Sequence, residues 1–345
     1  MQRKYTLLYQ NPTTGLRDWY TEIFGPCVDQ VVDDGTHTAV LDDCIVSDSF
    51  VEIQDPAYYR RFRGRNAFLL LSPDEYYLAP IDVYRNFCGV FRSHFSGAYD
   101  PARVLQIPTG YQPGFRPFNA SRPASERKYM WSFLGDVKKT TRPECLRSLI
   151  PYTPNYWYAS DGWTPGRGAA PVSALRPRPT HQYFAIVGES AFTPCPMGNV
   201  SQESHRPFEA LETGSIPVLE KRFLIDAHRS VLGDHPLPTF YSWKEAGAFM
   251  SRLWSTPAQL DALQRECLAW WAAYKHRLTE RIGEFMSRLD GQTATARTRY
   301  IAAYARIPGW SLVELTRHHT PRALLRRLER QTRRFVTTGR ILVRK

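Results

Sequence analysis

Apolar positions along the chain switch repeatedly between a two-residue and a helical period. The run Thr6-Leu7-Leu8-Tyr9 inside Lys4–Gln10 predicts a first strand, followed by the turn-rich Asn11-Pro12-Thr13-Thr14-Gly15. Leu16, Trp19, Tyr20, Ile23 and Phe24 recur at helical spacing and stop at Gly25-Pro26, which predicts a helix over 16–24. Val28–Val32, Thr38–Leu41 and Cys44–Val46 read as short strands. Asn66–Leu71 reads as a fully apolar strand closed by Ser72-Pro73-Asp74-Glu75. Val83–Phe95 is aromatic and basic. Arg103–Ile107 is a further strand ended by Pro108-Thr109-Gly110-Tyr111.

Pro113–Arg127 has the composition of a linker, and a second alternating series follows it. Tyr129–Leu134 is a strand running into Gly135. Thr141–Leu149 is a helix with Pro143 in its first turn, where a missing N–H costs nothing. Tyr156–Ala159 and His181–Val187 read as strands, with the Gly-, Pro- and Arg-rich loop Asp161–Pro179 between them. Ser204–Thr213 reads as a helix, Ile216–Leu219 as a strand and Leu260–Leu289 as a helix carrying Trp270 and Trp271. Alternation of this kind predicts α/β domains. The expected division is an N-terminal domain over 1–120, a second over 126–265, and C-terminal helices with a basic tail over 266–345.

Composition agrees with folded cores: 345 residues, long enough for two domains, of which 43% are hydrophobic and 13% aromatic. The net charge of +12 favours anionic partners. Six cysteines without a C-x-x-C pair or a His at ligand spacing read as reduced, buried thiols. The first apolar run is too short for a signal peptide, and the expected location is cytoplasmic. From Pro321 to Lys345 nine Lys and Arg residues face a single Glu. Leu324, Leu325 and Leu328 lie at helical spacing beside the arginines. Such a helix either rests peripherally on an anionic membrane or packs on the body with its arginines outward.

The densest chemistry lies between Glu189 and Val218. Cys195-Pro196-Met197-Gly198-Asn199 is a glycine-containing loop after a strand. Ser204 stands as candidate N-cap of the next helix, with Arg206 and Pro207 in its first turn and Glu209 behind them. Gly214 sits at the usual left-handed stop, and Ile216 opens the next strand. Strand–loop–helix–strand units of this kind bind nucleotides beyond the carboxyl ends of their strands. There Arg206 would fork onto phosphate oxygens and Glu209 would reach ribose hydroxyls. Spacing alone equally favours an Arg206–Glu209 ion pair on the helix surface.

The order C-P-x-G, S-x-R-x-x-E-A-L, Gly and I-P-V, as it stands from Cys195 to Val218, resembles the donor-binding signature of exostosin-type glycosyltransferases. The chain is most similar to their ribitol-phosphate xylosyltransferase branch. Phe133-Leu134-Gly135 with Thr141-Arg142 resembles the opening of that branch's second domain. Leu71-Ser72-Pro73-Asp74-Glu75, the Tyr84/Phe87/Val90/Arg92 spacing and Ile107–Tyr111 are similar to its first. The resemblance runs in order through roughly residues 65 to 275, while His205 and Pro207-Phe208 depart from it. It implies a GT-B fold, with two Rossmann-like domains facing across a cleft. It further implies a UDP-sugar donor, held by Ser204, Arg206, Glu209, Gly135, Arg142, Gly198 and Asn199 in the second domain, and a glycan or polyol-phosphate acceptor on the first.

The implied reaction is an inverting displacement, possible without metal because basic side chains and backbone N–H groups can stabilise the leaving diphosphate. No Asp-x-Asp motif precedes the donor loop, so neither metal nor cofactor is expected. Asp74 and Glu75, after an apolar strand, are candidate catalytic bases, or they simply cap a turn. His94 and His37 are weaker candidates for the base. The competing class, a non-catalytic basic binder of nucleic acid or another anionic polymer, accounts for the charge but not for the ordered motifs.

Overall fold

The computed structural model describes residues 4–300 apart from 11–15, 49–55, 73, 76–78, 80, 95–98, 115–121, 167–177, 199–200, 223–225 and 293–297. Asn199, most of the Asp161–Pro179 loop and the basic tail from Pro321 therefore lie outside the described residues. The chain is α/β and falls into two compact units. One comprises the described residues of Met1–Thr109 and Lys275–Lys345, the other Gly110–Tyr274.

The first unit carries β1 (Tyr5–Tyr9), α1 (Arg17–Phe24), β2 (Val28–Asp33), β3 (Cys44–Asp48), α2 (Pro56–Arg60), β4 (Ala67–Leu71), α3 (Ile81–Tyr84), β5 (Gly89–Arg92) and β6 (Val104–Gln106). Its six strands are ordered β2-β1-β3-β4-β5-β6, and every neighbouring pair is parallel. A parallel sheet buries both faces, which is why Ala67–Leu71 is apolar without alternation. One face packs Leu8, Val46, Leu69, Leu71, Tyr59, Phe62 and Phe87. On the other, Phe68 and Phe91 meet Phe24 and Phe285. Gly89 lets the sheet and the helix that carries Phe285 and Leu289 approach closely: a Cβ there would lie 2.7 Å from the Leu289 side chain and 2.9 Å from the Phe285 ring, so one of them would have to shift.

The second unit carries β7 (Tyr129–Gly135), α4 (Arg142–Leu149), β8 (Asn155–Ala159), α5 (Thr180–Gly188), β9 (Ser190–Cys195), α6 (Arg206–Glu212), β10 (Ile216–Glu220), α7 (Ala227–Leu232), β11 (Thr239–Phe240), α8 (Trp243–Trp254) and the start of α9 (Pro257–Leu289). Its parallel sheet has the order β11-β10-β9-β7-β8. The chain leaves β7 to one side to make β8, then returns to the other side for β9. Their carboxyl ends therefore flank a crevice at a topological switch point, the position where open α/β sheets take ligands.

Three local expectations are corrected. His181–Val187 is helix: α5 starts after Pro179, and Tyr183, Ile186 and Val187 share one helical face as well as reading as a β run. The strand is Ser190–Cys195, fully buried at the sheet centre. Pro194 disguises it by removing a ladder donor. Thr38–Leu41 is not a strand, because the Asp34 carboxylate binds Ala39 N at 2.6 Å and the Thr36 and Thr38 hydroxyls at 2.8 and 3.1 Å. That turn chemistry displaces ladder pairing.

Among the described residues no helix is long and apolar enough to cross a membrane. All six cysteines are buried thiols outside any disulfide, and burial pushes every thiol upward, Cys44 and Cys267 to about 12.

His228 on α7 is buried with neither ring nitrogen hydrogen-bonded, and half-buried His235 nearby also has both ring nitrogens enclosed without a hydrogen-bond partner. Burial lowers His228 to about 4; Asp226 opposes this and His235 reinforces it. An unfolded imidazole protonates near 6.5. Between those values the unfolded chain binds more protons, so stability is full above about pH 6.5. It falls by on the order of 3 kcal/mol as pH drops toward 4. The expected result is a melting temperature that declines from pH 7 to 5 in the wild type and declines less in His228→Leu. Parallel curves would show that His228 does not carry the dependence.

Candidate functional site

Four segments build the crevice between β7 and β9. Gly135 ends β7 with φ +142°, a conformation that side chains rarely adopt, and a Cβ there would stand 3.1 Å from Arg206 Nη2. The chain then turns through Asp136–Thr140. Asp161 holds this turn by accepting from Val137 N at 3.1 Å and Lys138 N at 2.7 Å. From the start of α4, Arg142 donates to Asp136 O at 2.8 Å and to Met197 O at 3.4 Å. Thr140 donates its hydroxyl to Gly198 O at 2.8 Å. Thr140 and Arg142 thus tie the loop after β7 to the loop after β9. Gly198 is itself set in a turn by its N–H to Ser201 O at 3.0 Å.

Arg206, the first residue of α6, runs back across the crevice instead of outward. Its Nη2 donates to Leu134 O at 2.9 Å and its Nη1 to the Tyr183 hydroxyl at 3.3 Å. The guanidinium lies 4.2 Å from the centre of the Phe133 ring. Tyr183 in turn donates to Glu209 Oε2 at 2.9 Å. Arg206 and Glu209 are 8% and 7% exposed, so they do not form the surface pair that their spacing permits; a tyrosine hydroxyl joins them within the fold. Burial works against the Arg206 charge, but the Tyr183 hydroxyl and the Glu209 carboxylate outweigh it and raise its proton affinity. Arg206 Nε is buried without a hydrogen-bond partner. A charged donor left in that state costs more than about 1–3 kcal/mol unless a ligand accepts from it.

Ser204 does not cap α6. The N-cap is His205, with no side-chain cap, and its Nδ1 lies 2.9 Å from Gly110 O. The helix ends as expected: Gly214 has φ +74°, Ser215 N bonds Ala210 O at 2.8 Å and Gly214 N bonds Leu211 O. α9 fixes that end through Gln264 Nε2 to Gly214 O at 2.7 Å and Trp271 Nε1 to Glu212 Oε1 at 2.6 Å. The structure thus brings Gly135, Arg142, Gly198, Arg206 and Glu209 to one crevice. Sequence reasoning missed Tyr183 and Thr140; nothing in spacing marks either.

In the first unit Asp74 is 1% exposed. Its Oδ2 accepts from Ala79 N at 3.1 Å and from Arg92 Nη1 at 3.5 Å, and its carbonyl accepts Arg92 Nη2 at 3.0 Å. Arg92 also donates to the Tyr84 and Tyr99 hydroxyls. This is the turn-capping alternative, extended by an ion pair. Glu75 is half-buried beside it. Among the described residues no group of three or more His, Cys, Asp or Glu is placed to hold a metal ion.

The RXYLT1 C-terminal domain family matches residues 115–289, just over half of the chain and all of the crevice. The chain belongs to that family. No curated protein matches it by sequence. Among solved structures, a DNA-modifying β-glucosyltransferase determined with and without uridine diphosphoglucose has a TM-score of 0.51 at 9% identity, over 82% of this chain and 99% of that one. T4 phage BGT in complex with UDP and Mn2+ gives 0.48 at 10% identity, over 82% and 99%. AviGT4, a glycosyltransferase of avilamycin A biosynthesis, gives 0.46 at 14% identity, over 83% and 98%. At such identity the first of these shows the fold alone, GT-B with two parallel-sheet units.

Proposed function

We propose that this member of the RXYLT1 C-terminal domain family is a glycosyltransferase that takes its sugar from a nucleoside-diphosphate donor, UDP in the first instance. The observation that carries this is the Arg206–Tyr183–Glu209 chain at the β7/β9 switch point. A buried cation there keeps one donor unsatisfied, beside a glycine whose φ of +142° disfavours a side chain and where a Cβ would crowd the guanidinium at 3.1 Å. Arg206 Nε bonds a diphosphate oxygen and gains most as the sugar–phosphate bond breaks. Glu209, acting with Tyr183, holds ribose hydroxyls. Arg142 and Thr140 donate to backbone carbonyls and shape the two loops. The displacement inverts the sugar carbon, requires no metal and delivers xylose to a hydroxyl of a glycan or polyol phosphate, as the exostosin-type signature implies. The DNA-modifying β-glucosyltransferase was determined with uridine diphosphoglucose, which agrees with a uridine donor.

The test is a thermal-shift panel of nucleotide sugars, because a ligand that binds only the native state stabilises it by about 2.7 kcal/mol at a hundredfold excess over Kd. UDP-xylose should raise the melting temperature and the corresponding GDP-sugars should not. UDP release should survive EDTA. Loss of release with chelator and its return with manganese would overturn the metal-independent reading, and a flat panel would overturn the donor site itself.

A further inference from the structure

The loop after β9 holds a second buried donor, which the Arg206–Tyr183–Glu209 chain does not use. Gln202 is 1% exposed, and its Nε2 is buried without a hydrogen-bond partner. The loop itself places this side chain. Gly198, whose carbonyl accepts from the Thr140 hydroxyl, donates its N–H to Ser201 O at 3.0 Å, so the chain doubles back immediately before Gln202. Glu203 N then donates to Ser201 Oγ at 3.1 Å, and Arg206 opens α6. Gln202 therefore stands between two residues of the crevice, Gly198 and Arg206.

From this loop the two side chains reach opposite ways. Arg206 runs back to Leu134 O near the end of β7. Gln202 Oε1 accepts from Ala227 N at 3.1 Å, in the first residue of α7, which follows β10. β9 lies between β7 and β10, so the two groups flank the end of β9. The bond to Ala227 N also orients the amide, because only its oxygen can meet a backbone N–H, and the NH2 is the end left over. Gln202 is not the cap of α7; that is Asp226, which accepts from Arg229 N at 3.0 Å. A buried donor left unpaired is costly and calls for a ligand that accepts from it. Charge indicates which part of the ligand. Arg206 supplies the cation that a diphosphate needs, and a neutral amide adds less to such an anion. A sugar hydroxyl suits the amide: it accepts from the fixed N–H and keeps its own proton to donate elsewhere.

We propose that Gln202 reads a hydroxyl of the donor sugar and sets the preference of the site among UDP-sugars; this rests on the nucleotide-sugar reading above. All the residues that carry it lie in the unit Gly110–Tyr274. A sugar that lacks the hydroxyl, or turns it away, leaves the N–H unpaired and is rejected for that reason.

The experiment measures Kd for UDP and for UDP-xylose by calorimetry, on the full wild-type chain and on Gln202→Met, with the melting temperature as the check on folding. Methionine is close to glutamine in length and donates no hydrogen bond. UDP-xylose should bind the variant roughly tenfold more weakly, with the affinity for UDP unchanged. Analogues of UDP-xylose deoxygenated at one hydroxyl at a time supply a measurement on the wild type itself. One of them should bind roughly tenfold more weakly than UDP-xylose, and that difference should vanish in Gln202→Met. Equal weakening of UDP and UDP-xylose would place the amide on the diphosphate, and an unchanged affinity for UDP-xylose would leave it without a ligand; either overturns the assignment while the donor site stands. Wild-type binding that is insensitive to every deoxygenation overturns it too, whether or not the variant folds. A wild type that binds neither UDP nor UDP-xylose removes the donor site and this inference together.

Discussion

Arg206→Ala lowers turnover on the order of 10²- to 10³-fold, and donor binding weakens by less. The reason is where charge appears. In the ground state the diphosphate is already anionic, and Arg206 is occupied by Leu134 O and the Tyr183 hydroxyl. In the proposed reaction another negative charge grows on the leaving oxygen as the sugar–phosphate bond breaks, and the unsatisfied Nε would meet it without reorganisation. Losing one such donor typically costs about 2.7–4 kcal/mol of transition-state stabilisation. Arg206→Lys keeps the charge but not the fork and should fall between the two. Glu209→Gln separates the roles, because a ribose contact is made equally before and during reaction; its effect should fall on donor affinity and leave kcat nearly intact. If Arg206→Ala folds and turns over like the wild type, the crevice is not a nucleotide-sugar site.

Asp74→Ala should act on stability. The Arg92 side chain has no exposure and that of Asp74 1%, so neither charge is hydrated. Removing the carboxylate leaves the core guanidinium without its ion-pair partner, beside the neutral oxygens of Tyr84, Tyr99, Ser93 and the Asp74 carbonyl. Breaking a buried pair from one side costs about 3–5 kcal/mol, a fall of roughly 10 °C in melting temperature for a unit of this size. Asp74→Asn retains an acceptor for Ala79 N and should lose less. An unchanged melting temperature combined with abolished transfer would instead return Asp74 to the role of candidate base.

The sequence showed most where one physical requirement dominates a segment. Ala67–Leu71 is buried on both faces and has to be apolar; Pro143 and Gly214 mark where a helix can start and must stop. Arg206, Glu209 and Gly135 were visible as a constellation because their order resembles a known signature, and the family match covers the same residues. What spacing did not reveal is that Arg206 turns inward. That depends on Tyr183, whose helix resembles a strand because its apolar residues satisfy both periods. β9 went unseen because Ser190, Thr193 and Pro194 dilute the hydrophobic run that a central strand usually shows. His37, in the loop after β2, places its Nε2 3.7 Å from Oδ2 of Asp48, the last residue of β3; only the β2-β1-β3 order makes them neighbours, so no linear pattern announces the pair.

The buried cysteines have a practical consequence. A maleimide reacts with thiolate, and each unit by which a thiol's pKa rises removes about nine-tenths of that species at neutral pH. With all six thiols enclosed and shifted upward, the folded wild-type chain is close to inert toward such probes. Val31 in one unit and Tyr241 in the other are 45% and 54% exposed. Cysteines introduced at those two positions would carry a fluorophore pair with no background to subtract. The energy transfer between them would then follow the distance between the two units in solution, with and without UDP.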